Sequence, residues 1–422
     1  MNRATSTSPT LSTVVQQGDH QQQAIAINDF IFMVNDISNA YLVTSEEGDV
    51  MINTGFMDAH HVERNQSLFE AVRSGPLRYI MLTQAHPDHY GGVPAFREAD
   101  TQIVASRRFE ETWQYFHDLG PYLSRQTEKL WGSTLQRGDN PTQPPAVVPD
   151  ICVDDHHTIT IGNRHFELLA TPGGESLDSL CVWLPDEGIV FTGNLFGPIF
   201  NAMPNLTTIR GDKPRLVGNY LSSLSRVRSL DADLLITGHG EPVSGRQAIR
   251  ASLDRMHDAV AWLRGAVIAG MNAGQSVYQL MQELRLPDHL QIGEYHGKVS
   301  WAVRAIWEEL SGWFHYEDST AALYGIPFSA INKDIAELAG GADALAARAT
   351  DKLTQGQLVE AILLLDIGLD QMPNHRTSLC LKQSALQTLL AQALDNLSLM
   401  MWLKSELRIV ESRLSVLPTD PG

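Results

Sequence analysis

Cysteine is scarce in this chain. Its 422 residues hold three, Cys152, Cys181 and Cys380, widely spaced and with no Cys-X-X-Cys pair. A disulfide-stapled scaffold and a cysteine-ligated zinc site are therefore not expected. Positive charge is also short: 31 Lys and Arg stand against 49 Asp and Glu, for a formal net charge of −18. A general nucleic-acid binder or an anionic-membrane binder needs the opposite sign on its surface, whereas a local cationic pocket for a small anion remains compatible. No apolar run approaches the ~18 residues of a membrane-spanning helix. The opening MNRATSTSPTLSTVVQQGDHQQQ lacks the apolar core of a signal peptide, so residues 1–24 read as a disordered lead-in to a cytoplasmic protein.

What is present is an ordinary globular composition, 43% apolar and 19% charged, on a chain long enough for two or three domains. From Ala24 to about Met256, β-like runs such as DFIFMV, AYLVTS, DVMINTG, YIMLTQAH, TQIVAS, FELLATPG, CVWLP, GIVFTGN and DLLITGHG alternate with helical spacing, as in HHVERNQSLFEAVRSG. Several runs end in polar or Gly-rich turns, which is where layered α/β folds place ligands. Residues 133–149, rich in Pro, Gly, Thr and Asn, read as a loop. After Arg255 the pattern is almost wholly helical, broken at Pro287, Gly312, Pro327, Gly340, Gly341, Gly356 and Pro373. Residues 342–396 look like paired antiparallel helices without a longer repeat, and their Leu and Met residues read as core or subunit contact.

The sharpest chemical signal is TQAHPDHYGG, Thr83 to Gly92, directly after YIML. His86, Asp88 and His89 fall within four residues on a strand-to-helix turn, and imidazole with carboxylate suits zinc, iron or manganese. Alone, the motif is also compatible with a capped turn bearing surface histidines. Two further strand-to-turn segments narrow that alternative: TPGGES carries Glu175 and LLITGHGEP carries His239, with GIVFTGN ending at Asn194 between them. His60 and His61 read as a solvated helix start, and His156 and His157 as a polar surface loop beside Asp154 and Asp155.

The order of these segments resembles the metallo-β-lactamase superfamily. TPGGE, FTGN, NLTTIRG, YHGKVSWAVRAIWEELSGWF and IAELAGGADAL resemble its alkylsulfatase branch over about residues 25–400. The resemblance implies an α/β chain, an αββα metallo-β-lactamase-like sandwich over 25–256 followed by an all-α dimerisation domain over 257–415, hence a homodimer. Family members commonly continue into a sterol-carrier-like domain, for which 422 residues leave no room.

Carried over by position, the resemblance implies two metal sites, one at Gln84, His86 and Glu175, the other at Asp88, His89 and His239, with Asn194 bridging. The catalytic positions are Asp88 and Asn194, and Asn205 and Arg210 of NLTTIRG hold the substrate anion, a guanidinium fork suiting an oxyanion. Paired divalent ions about 3.5–4 Å apart polarise a substrate and activate water. Several positions depart from the family. Gln84 stands for a histidine, Asn194 for a bridging carboxylate, Asn53 for an aspartate, Trp301 for a histidine and Phe314 for a tyrosine, with His315 and Tyr316 adjacent as substitutes. Amide oxygens are weaker ligands and leave dication charge unbalanced. The expectation is one or two ions, zinc first and iron or manganese next, in a hydrolase of a small or medium organic anion, an alkyl sulfate ester being the first class to test. The alternatives are a mononuclear non-haem Fe(II) oxygen-using enzyme and a metal-poor binding or regulatory homologue.

Overall fold

The structure is a computed structural model that describes residues 18, 20–131, 143–213, 215–315 and 319–418. Most of the expected lead-in, most of the 133–149 loop and Tyr316 lie outside the described residues.

Two sheets carry the first compact unit. One has seven strands in sequence order: β1 (Ile25–Ala26), β2 (Ile31–Val34), β3 (Ala40–Val43), β4 (Asp49–Ile52), β5 (Leu77–Met81), β6 (Gln102–Ser106) and β7 (Ile151–Val153). β1 to β4 pair antiparallel and β4 to β7 parallel. The second sheet has six: β8 (His156–Ile161), β9 (Arg164–Ala170), β10 (Leu180–Leu184), β11 (Ile189–Gly193), β12 (Leu234–Thr237) and β13 (Val243–Ser244), with β11 and β12 parallel and the other pairs antiparallel.

Side chains alternate across a strand, so a sheet covered on both faces needs apolar residues at both parities. Ile31, Met33, Val50, Ile52 and Met81 meet Phe166, Leu168, Val182, Leu184 and Phe191 in the core between the sheets. The intervening Val34, Leu42, Met51 and Ile80 pack outward with Leu68, Phe69 and Phe109 of the helices Ala59–Glu70 and Phe109–Asp118. On the far face Cys181, Trp183, Val190 and Leu235 pack with the helices Val217–Ser229, Arg246–Asn272 and Val299–Ser311. Helix, sheet, sheet, helix is the expected layering.

The sheets are stitched at one edge. Asn39 donates its backbone N–H to Gly238 O at 2.7 Å and its amide to Gly240 O at 2.8 Å, and the Tyr41 hydroxyl donates to Thr237 O at 2.7 Å.

The helix Arg246–Asn272 runs on through position 256, and its Ile249, Leu253, Met256, Val260 and Leu263 belong to the same core as the second sheet. The first compact unit extends to Leu310, and residues 129–131 with 311–422 form the second. One expectation needs correction. His156 and His157 open strand β8, paired with Leu169 and Leu168, rather than a loop. Pairing along a partner strand overrode the polar composition there. The second unit packs the helices Ala342–Thr354, Leu358–Gln371, Arg376–Gln392 and Leu397–Ser415 around Leu365, Leu369, Leu379, Leu386 and Leu403.

Candidate functional site

The polar segments singled out in the sequence converge at the carboxyl ends of strands from both sheets: Asn53 after β4, residues 83–89 after β5, Glu175 after β9, Asn194 after β11 and His239 after β12. His86 caps the one-turn helix Pro87–Tyr90 in extended conformation, and Asp88 and His89 sit inside that turn. Ser38 holds the turn by donating to Asp88 O at 2.5 Å, and the Ala85 N–H donates to Asp178 Oδ2 at 2.7 Å. Two glycines permit the close approach. A β-carbon on Gly238 would collide with Asn194 Oδ1 and lie 2.8 Å from His89 Cε1; one on Gly193, at φ +51, would lie 2.5 Å from Thr83 Oγ1.

Asp88, His89 and His239 form one cluster. Asp88 Oδ2 is 3.7 Å from His89 Nε2 and 3.9 Å from His239 Nε2, and all three ligand atoms lie within 4.8 Å of one another. Four ligands at about 2.1 Å from a tetrahedral ion stand about 3.4 Å apart, so only a small contraction would close the set on an ion. The buried His89 Nε2 has no hydrogen-bond partner, which is the mark of an atom awaiting one. These residues fit a single divalent ion.

The other expected set is arranged differently. Gln84 Nε2 is 2.7 Å from His86 Nδ1. Asn194 Nδ2 donates to Glu175 Oε2 at 2.9 Å and lies 3.2 Å from His239 Nε2. A carboxylate only accepts, so the Asn194 nitrogen must face it. Glu175 Oε1 also takes Arg215 Nη1 at 3.2 Å, with His86 and His296 at 3.8 and 4.0 Å from its two oxygens. Amide and guanidinium N–H groups occupy His86 Nδ1 and the Glu175 oxygens, whereas Gln84 Oε1 and Asn194 Oδ1 are buried with no hydrogen-bond partner among the described residues. As arranged, the set offers a second ion two neutral amide oxygens and a carboxylate already engaged, a weaker site than the first.

Burial sets the charge states. It pushes His89 down to about 3 and His239 and His296 to about 4, so the three imidazoles are neutral at pH 7. Burial would raise Glu175, but Arg215, His86, His296 and the Asn194 hydrogen bond outweigh it and hold the carboxylate far below its usual range. Asp178 is pushed up by burial despite its bonds from Ser176 and the Ala85 N–H.

A cleft opens beside Glu175, lined by His86, Tyr115, Phe116, Leu177, Lys213 and Arg215 among others. Asn205 lies in the expected segment; its Oδ1 is buried without a partner and its carbonyl accepts from Arg215 at 2.9 Å. Arg210 is not an open fork. Its Nε donates to Asp212 Oδ1 at 2.9 Å and its Nη2 to Asp212 Oδ2, so an acid two residues on has taken both teeth. His61 is not a solvated residue either: its Nδ1 is 2.5 Å from the buried Asp36. Asp178 and His296 are site residues that spacing did not single out, whereas Arg215 closely follows the NLTTIRG anion segment. His296 lies within a quoted motif without ligand spacing, and Asp178 acts through a backbone amide that no motif encodes.

Comparison with known proteins agrees with this layout. Residues 33–239 match the metallo-beta-lactamase superfamily and residues 276–408 match the alkyl sulfatase dimerisation family. Residues 33–239 therefore form a metallo-beta-lactamase superfamily domain, followed over 276–408 by an alkylsulfatase-type dimerisation domain. It is similar to a linear primary-alkylsulfatase of Pseudomonas sp., 27% identical over 75% of this chain and 63% of the relative. It is also similar to the alkyl/aryl-sulfatase BDS1 of Saccharomyces cerevisiae, 24% identical over 87% and 60%. The chain thus spans a little over three fifths of these relatives. The structure of the stereoselective inverting sec-alkylsulfatase Pisa1 from Pseudomonas sp. shares the fold, with a TM-score of 0.82, 21% identity, and coverage of 94% of this chain and 66% of that one. The superfamily implies divalent metal binding. Among the described residues no helix is long and apolar enough to cross a membrane.

Proposed function

We propose that the protein is a metal-dependent hydrolase of alkyl sulfate esters, with one divalent ion held by Asp88, His89 and His239. The observation that carries this reading is the convergence of those three ligand atoms beside a cleft lined by Lys213 and Arg215; the alkylsulfatase relatives support the substrate class. Zinc is the ion to test first, with iron and manganese next.

A divalent ion there would supply Lewis-acid polarisation and lower the pKa of water. Asp88, the only carboxylate of the set and partly open to solvent, would hold the proton released from water on its free oxygen. Lys213 offers positive charge to a sulfate head group and Asn205 offers an amide, while the Arg215 guanidinium is engaged by Glu175, Asn205 O and Asp212. Arg210 acts on that anion indirectly, by neutralising Asp212, which otherwise would face the cleft with only Arg215, 3.7 Å away, to balance it. Asn194 orients Glu175 and His239 through its amide nitrogen.

The test is metal content by mass spectrometry together with sulfate release from a linear alkyl sulfate. One ion per chain and activity lost on metal removal are expected; no sulfate release by the metal-loaded protein would overturn the substrate class. Two histidines and one carboxylate also form the ligand set of non-haem Fe(II) oxygenases, and this second reading requires iron-dependent oxygen uptake.

The exposed apolar side chains Leu323, Tyr324, Ile326, Phe328 and Leu338 of the second unit support a homodimer. Unpaired cysteines at 152, 181 and 380 support a reducing, cytoplasmic setting.

A further inference from the structure

Asn53 is the residue after β4 and adopts a left-handed backbone, φ +58. Its side-chain oxygen accepts from the Thr83 backbone N–H at 3.0 Å and from the Thr83 hydroxyl at 3.1 Å. A backbone N–H only donates, so the amide can be turned only one way, with its nitrogen 2.9 Å from His89 Nδ1. That nitrogen also only donates. Nδ1 must accept, and the single proton of the neutral imidazole then lies on Nε2. Nε2 is the atom that faces Asp88 Oδ2.

We infer that Asn53 is a positioning residue that holds His89 as the Nε2–H tautomer and so opposes capture of a metal ion through that nitrogen. Ligation needs a lone pair on Nε2, hence a proton on Nδ1, and Asn53 has no acceptor to offer it. Loading therefore requires Nε2 to release its proton to solvent and Nδ1 to take one up. The Asn53 bond is lost, and the Thr83 hydroxyl oxygen lies 3.4 Å away as an acceptor. A carboxylate at position 53 would instead accept from Thr83 with one oxygen and from Nδ1–H with the other, freeing Nε2 without further movement. The inference rests on Asp88, His89 and His239 being the ion site and adds that this chain loads it reluctantly.

The test is Asn53→Asp, a substitution the backbone tolerates because aspartate also visits positive φ. Two measurements separate the outcomes. Long-range ¹H–¹⁵N NMR of the metal-depleted chains should show His89 as Nε2–H in the wild type and as Nδ1–H in the variant. Zinc titration followed by calorimetry should show affinity rising 10- to 100-fold in the variant, the range by which outer hydrogen bonds tune metal sites. A wild-type His89 already protonated on Nδ1 overturns the inference, as does a rise in affinity with no change of tautomer, which added charge alone would give. Wild-type zinc binding that N53D leaves unchanged also overturns it while the ion-site reading stands. If neither chain binds zinc, the ion-site reading fails and the NMR spectra alone decide the role of Asn53.

Discussion

Arg215 and Glu175 form an ion pair, Nη1 to Oε1 at 3.2 Å, in which both side chains are less than a tenth exposed. Asn205 O and Asp212 take the rest of the guanidinium. A buried pair contributes little net stability over apolar packing, but breaking it leaves a charge in low dielectric with nothing to balance it. Arg215→Ala is expected to lower unfolding stability by about 3–5 kcal/mol, read by urea melts. The double variant Arg215→Met with Glu175→Gln should recover most of that loss.

The neutral amides of Asn194 and Gln84 give a prediction about stoichiometry. Asn194→Asp replaces a donor to Glu175 by a second carboxylate, and should lower metal-free stability by about 1–3 kcal/mol. Combined with Gln84→His, it restores an imidazole and a bridging charge, and the chain should take up two ions where the wild type takes one. Inductively coupled plasma analysis of the dialysed proteins decides; a double variant still at one ion would mean that the Gln84 side of the pocket is not an ion site.

Arg210 tests the anion pocket through its effect on Asp212. Arg210→Ala uncovers that carboxylate beside the cleft, and KM for an alkyl sulfate should rise by about one to two powers of ten, corresponding to roughly 1.5–3 kcal/mol. Arg210→Lys should restore only part, since an ammonium keeps the charge but not the bidentate fork. Metal content should be unchanged in both variants. The double variant Arg210→Ala with Asp212→Asn should fall back toward wild-type KM if neutralisation is what Arg210 does.

Much of the site's chemistry was legible because it depends on residue type at fixed spacing. His86, Asp88 and His89 within one turn, and Glu175, Asn194 and His239 each closing a strand, converge as their order implied. The strand runs were legible for the same reason: Ile31, Met33, Val50 and Ile52 alternate with residues buried on the opposite face. What could not be read were relations set by orientation. That Gln84, Asn53 and Asn194 are poor ligands followed from composition, but that each turns a nitrogen toward a histidine depends on neighbours such as the Thr83 N–H and the Glu175 carboxylate. Arg210 looked like an anion fork because the sequence does not say that Asp212 folds back onto it.

The pair of Asp36 and His61 predicts a pH profile for stability. Burial opposes the charge of both, yet their mutual bond, with Arg64 and Asn65 beside Asp36, leaves Asp36 below its usual 3.8 and His61 above its usual 6.5. The Asp36 contribution is present above pH 3.8 and disappears as pH falls through its lowered folded value. The His61 contribution is complete below pH 6.5 and disappears as pH climbs through its raised one. The stability difference between wild type and His61→Ala should therefore be largest between pH 3.8 and 6.5 and shrink on either side, as followed by denaturant melts across that range.

Phe328 and Leu338 are 73% and 89% exposed. A charge at either should cost a single chain almost nothing while disrupting an apolar interface. Phe328→Asp or Leu338→Asp is expected to convert a two-chain mass in light scattering to a one-chain mass with an unchanged melting curve for the sandwich. A two-chain mass in both variants would put the contact on another face.

The stitches from Asn39 and Tyr41 to residues 237–240 join positions 196 to 201 apart along the chain. Contacts so distant in sequence close late, because their loop entropy is lost before any packing repays it. During synthesis, Asp88 and His89 emerge some 150 residues before His239 completes their cluster. A half-made chain therefore holds two neighbouring imidazoles and a carboxylate on an unsupported turn, with no third element to fix them. The pocket is an end product of folding and not a nucleus for it, and ion loading reports that both sheets have already met.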